Sequence, residues 1–169
     1  MKSHEIFQAI TPELRTRILT WTQTEAKEAF NTALNEAGAK RKLRPQYFIN
    51  KSKPERVQWL EPYLGTKAYD GVTEQLLQLW LLKGKTAMLT AFLDAAEIKH
   101  DGQGQVDELP EEISAEKVKA GVDAILKDNE PAEVAIYLQL FQRQSESGFP
   151  TVAAELEKRD ELKLVVPVK

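Results

Sequence analysis

The sequence predicts an all-α protein, an irregular bundle of about six to seven helices. Three observations carry that expectation. Apolar residues recur at three- and four-residue spacing along most of the chain, and capping signals stand ahead of those runs at Thr11-Pro12, Ser52-x-x-Glu55, Ser114 and Pro131. At 169 residues, 42% hydrophobic and 29% charged with only 8 Gly and 8 Pro, the chain suits one folded domain over 1–169 rather than a disordered or fibrous one.

The elements follow in order. Thr11 as N-cap and Pro12 as first helical residue open a long helix carrying Leu14, Ile18, Trp21, Ala26, Phe30, Ala33 and Leu34, which Gly38 should end. Pro45 disfavours helix at Arg44, so 44–50 reads as loop or short strand, anchored by Tyr47, Phe48 and Ile49. The Ser52/Glu55 box then starts a short helix with Val57, Trp59 and Leu60. Leu76, Leu77, Leu79, Trp80, Leu81 and Leu82 leave almost no polar face, which predicts a covered, central helix; after Gly84 a second presents Met88, Leu89, Phe92, Leu93 and Ala96.

Residues 99–112 read as an exposed acidic loop, with glycines at 102 and 104. Ser114 caps a helix with Val118, Val122, Ile125 and Leu126 inward, and Pro131 opens another with Val134, Tyr137, Leu138 and Phe141. A last amphipathic segment over 152–162 leads into a flexible tail at 163–169. Leu81-Leu82-Lys83 and its following helix match Ile125-Leu126-Lys127 and its following helix at an offset of 44 to 45 residues, the period of HEAT-like helical pairs.

Composition excludes some chemistry. There is no cysteine, which removes disulfides, thiolate metal sites and a cysteine nucleophile. The first ten residues carry His4 and Glu5 where a signal peptide needs an apolar run, and no stretch approaches the roughly 18 apolar residues of a membrane span. The expected location is cytoplasmic, in a bacterial cell, with no membrane contact.

The charge pattern is the strongest functional signal. Between 40 and 56, seven cations face one acid, Glu55, a local +6 in a chain whose formal net charge is −3. Lys40, Arg41, Lys42, Arg44, Lys51, Lys53 and Arg56, with Tyr47 among them, form the candidate site within a basic loop over 39–56. Cations interleaved with aromatic residues suit phosphate or carboxylate contacts. The competing reading has Tyr47, Phe48 and Ile49 plugging the loop into the core while the cations pair with the acidic remainder.

Other motifs are incomplete. Gly84-Lys85-Thr86 ends like a phosphate-binding loop, yet Leu79 stands where that motif needs its first glycine, and a helix precedes it instead of a strand. Placing Gly104 at the sixth position of a calcium loop puts Lys99 first and Pro110 twelfth, neither of which can serve. Glu97 and His100 have the Glu-x-x-His spacing of di-iron bundles, but the only other histidine is His4, near a loose terminus. No serine has a nucleophile elbow around it.

The functional expectation is a non-enzymatic interaction module that holds an anionic partner through 40–56, without cofactor or metal. An acidic protein or a phosphorylated ligand ranks ahead of nucleic acid. The alternatives are an enzyme with an acid-based site that spacing does not reveal, and a self-associating protein, a homodimer seamed by Trp80 or by the apolar tail at 165–168.

Overall fold

A computed structural model describes residues 1–168, and among them no strand is present and ten α-helices are. The all-α expectation holds. The excess over six or seven has three sources, each a place where packing or side-chain chemistry overrode the apolar period. Ser3–Ala9 forms an N-terminal helix, α1, where a loose terminus was expected. Asp70 fixes it: one carboxylate oxygen accepts the His4 backbone N–H at 2.9 Å and lies 2.7 Å from the His4 Nδ1.

The predicted long helix is two, α2 (Pro12–Glu25) and α3 (Lys27–Ala39), separated at Ala26, whose φ of −132° and ψ of 53° leave the helical region. Thr22 and Thr24 donate their hydroxyls back to the carbonyls of Ile18 and Thr20 at 2.7 and 3.0 Å. Such back-bonding bends and weakens a helix, and the break falls just after it. The third addition is a one-turn helix, α4 (Gln46–Ile49), in the segment expected as loop or strand.

The chain divides into two compact units, Met1–Trp80, which residues 166–168 join, and Leu81–Val165. The first holds α1 to α4, α5 (Lys53–Leu64) and α6 (Asp70–Leu79). There α2 packs on α3 and α5, and α1 on α6, around Ile6, Phe7, Ile18, Leu19, Phe30, Leu60 and Leu64, all fully buried. Polar ties supplement this packing. Arg15 donates to the carbonyls of Ile10 and Gln8 and to Glu61 on α5, and Thr73 donates to the Leu64 carbonyl.

Beyond α6 the chain does not continue as ordinary helix to Leu82: Trp80–Gly84 is a wider, π-helical turn. Trp80 is buried, at 3% exposure.

The second unit contains α7 (Thr86–Ala95), α8 (Ala115–Leu126), α9 (Pro131–Gln142) and α10 (Pro150–Lys158). Its centre is an aromatic cluster: Phe92 meets Tyr137 and Phe141 edge-on at 5.4 Å each, and Phe141 stacks on Phe149 at 5.2 Å. Gly121 lets α8 approach α7, since a Cβ there would lie 2.7 Å from the Phe92 ring. Arg159 joins α10 to α8 by donating to Glu155 and Asp123. Residues 99–112 form no helix. Among the described residues no helix is long and apolar enough to cross a membrane.

Candidate functional site

The basic segment begins at the end of α3. The Leu43 N–H bonds the Gly38 carbonyl and the Lys42 N–H bonds the Ala39 carbonyl, both at 2.9 Å, while Lys42 takes a positive φ of 60°. This is the Schellman arrangement, in which the left-handed position usually belongs to glycine. A lysine there bears about 1 kcal/mol of backbone strain.

From this turn the chain runs through Arg44 and Pro45 into α4, which Phe48 pins in place. The Phe48 ring lies where a Cβ on Gly38 would be 2.6 Å from it, so the missing side chain of Gly38 is what admits the ring. Phe48 is buried, but Tyr47 and Ile49 are not; they are 42% and 62% exposed. The expectation that all three anchor the loop is corrected: on a single helical turn, only one of three consecutive side chains faces inward.

Ser52 then caps α5. Its Oγ accepts the Glu55 N–H at 3.3 Å, and the Glu55 carboxylate accepts the Ser52 N–H at 2.7 Å. That backbone bond, followed by the serine hydroxyl, holds the Glu55 carboxyl below its usual range. The one acid of the window is thus engaged at the helix start.

A ribbon of aromatic rings underlies the cations. Tyr47, Phe48, Trp59, Tyr63 and Tyr69 follow one another with centroid separations of 5.2, 4.6, 4.8 and 6.0 Å. Lys51 sits over Tyr47 at 4.8 Å, Arg41 over Tyr63 at 4.0 Å and Lys40 over Tyr69 at 4.3 Å. Lys40 also pairs with Glu36 at 3.4 Å, and Arg56 donates to the carbonyls of Phe48 and Ile49.

Neither sequence reading describes this sorting of the charges. The cations are not neutralised by the acidic remainder, because among the described residues only Lys40 forms an ion pair with a carboxylate, while Lys51 lends its field to Glu55; nor are they all unattached. Lys40, Arg41, Lys51 and Arg56 are held by rings and carbonyls. The side chains of Lys42, Arg44 and Lys53 make no ion pair, hydrogen bond or ring contact among the described residues, and all three are exposed.

A groove of about 260 Å³ lies between α3 and α4, lined by Leu34, Pro45, Phe48, Ile49 and Arg56 with Asn31 and Asn35, and Arg44 precedes its Pro45 in the chain. The sequence reading missed those asparagines and the rings of Trp59, Tyr63 and Tyr69. The available signal was spacing: Asn31 and Asn35, like Trp59 and Tyr63, stand four apart and so share a helix face. The arrangement supplies fixed positive charge, free amides and an apolar seat within one unit.

The incomplete motifs are occupied otherwise. Lys85 pairs with the buried Glu133 at 2.8 Å. His100 bonds Asp94 through Nε2 at 2.6 Å and accepts the Gly102 N–H at Nδ1, and the Asp101 carboxylate accepts the N–H groups of Gln103 and Gln105. The chain matches no protein-family description, no curated protein and no solved structure.

Proposed function

We propose that this protein is a helical interaction module, without catalytic activity, that holds an anionic partner on the face built by 40–56. The observation that carries this reading is Lys42. It occupies a strained left-handed position that a glycine would relieve, yet its side chain makes no hydrogen bond, ion pair or ring contact among the described residues. A charge retained at a conformational penalty and turned to solvent is explained by a partner outside the chain.

Glu97 provides the contrast. It takes the same left-handed position after α7, with φ 55°, but its carboxylate meets Lys117 at 2.8 Å. There the fold uses the charge. At Lys42 it does not, and the same holds for Arg44 and Lys53. The held cations complete the face by supplying field, while stacking on rings limits their loss of rotamer freedom on binding.

The test is a screen of single-stranded RNA, duplex DNA, inorganic polyphosphate and a glutamate-rich peptide against the native protein and a Lys42→Ala, Arg44→Ala, Lys53→Ala variant. Exposed charge pairs contribute about 0.2–1 kcal/mol each, so the variant should bind its anion about tenfold more weakly while keeping its helical spectrum. Equal binding by both proteins, or no binding by either, contradicts the proposal.

A further inference from the structure

The groove between α3 and α4 is not a plain cationic surface. Its floor is apolar, with Ile49 at 62% exposure on its edge, and its rim carries Asn31 and Asn35, whose amides make no hydrogen bond among the described residues. A polyphosphate would use the cations and leave Ile49 uncovered. The rings beneath the cations already carry Lys51, Arg41 and Lys40, which takes up faces that nucleic-acid bases would stack on. The surface therefore fits a peptide: an apolar side chain on the floor, carboxylates on the cations and main-chain groups on the two amides.

The chain itself carries a segment of that composition. Residues 107–112 read Asp-Glu-Leu-Pro-Glu-Glu, an apolar pair bracketed by two acids on either side. They have no helical structure, and the carboxylates of Asp107, Glu108, Glu111 and Glu112 are exposed with no hydrogen bond or ion pair among the described residues. Leu109 and Pro110 are half-buried. Over 101–112 there are five acids and no base, against the net +6 of 40–56.

We infer that the partner of the basic groove is the acidic loop of a second copy of this chain, with Leu109 set against Ile49 and Phe48 and the flanking carboxylates on Lys42, Arg44 and Lys53. This rests on the proposed anion-binding face and names its occupant. The contact joins two different patches, groove to loop, so reciprocal exchange closes a two-fold dimer and one-way exchange builds a ring or a chain.

Sedimentation velocity on the intact protein tests it. At about 0.1 M salt the average mass should rise above the 19.1 kDa of one chain as concentration increases, and it should return to that value near 1 M salt, where the Debye length falls from about 10 to 3 Å. Two charge reversals make the test specific: Lys42→Glu with Arg44→Glu, and Glu108→Lys with Glu111→Lys. All four positions are exposed, and Glu97 demonstrates that a glutamate fits the turn Lys42 occupies.

Each variant alone should remain a monomer with an unchanged helical spectrum, and mixing the two should restore association, because each then offers the charge the other lacks. A native protein that stays at one-chain mass throughout, or variants that associate as the native protein does, overturns the inference. So does failure of the folded variants to associate when mixed. If the native protein is a monomer but still binds a glutamate-rich peptide through Lys42 and Arg44, the anion-binding face stands and only its occupant was misassigned. If neither occurs, both readings fall.

Discussion

At the scale of single residues, Lys42 and Glu97 are the same backbone event with different outcomes. Each ends a helix in the left-handed region, and each therefore carries strain a glycine would not. Lys42→Gly should stabilise the protein slightly, by up to about 0.6 kcal/mol in chemical denaturation, the strain relieved less the greater freedom of glycine in the unfolded chain. The same change should weaken anion binding. Glu97→Gly relieves similar strain but loses the Lys117 pair, so its net effect should be smaller. Trp80 sets the opposite scale: at 3% exposure, Trp80→Ala should cost about 3–5 kcal/mol, and a loss under about 1 kcal/mol would place that indole at the surface.

Among the elements, what could be read from the sequence was what local chemistry decides. Thr11, Ser52 and Ser114 each accept the backbone N–H three residues on, at 3.2 to 3.3 Å, and α2, α5 and α8 begin where those side chains forecast. The break at Ala26 was hidden, because the apolar period runs through it while hydroxyl back-bonding works against it. So was α4: four residues have no period, and that turn exists through tertiary contacts, Phe48 against Gly38 and Arg56 on two carbonyls. Gly38→Ala tests this. The added methyl meets the Phe48 ring, so the variant should lose about 1–3 kcal/mol and show altered near-ultraviolet dichroism from the aromatic ribbon. The candidate site was legible as charge and illegible as geometry. Composition gives the +6, but only the packed rings decide which cations are held and which are free.

Across the whole molecule, ion pairs and caps make stability depend on acid. The carboxyls of Glu55, Glu97, Asp101, Asp123 and Asp160 are all held below their usual range: by the Ser52 backbone bond, by Lys117, by the N–H groups of Gln103 and Gln105, by Lys119 with Arg159, and by Lys163. A carboxyl depressed in the folded state binds protons more readily once unfolded. Its contribution is complete above the unfolded value, near about pH 4, and is lost as pH falls through the lower folded value. Calorimetric melting temperatures should therefore decline below about pH 4, and Asp123→Asn, which removes one of these groups, should reduce that decline.

The proposed anion-binding face belongs to this scale too, since it opposes the sign of the whole chain: a local +6 within a net −3. Its most direct test is a calorimetric titration of a glutamate-rich peptide into the native protein and into the Lys42→Ala, Arg44→Ala, Lys53→Ala variant, at about 0.1 and 1 M salt. The expected result is saturable binding to the native protein that weakens at the higher salt and is about tenfold weaker in the variant at the lower. Affinity that is the same in both proteins and insensitive to salt would contradict it.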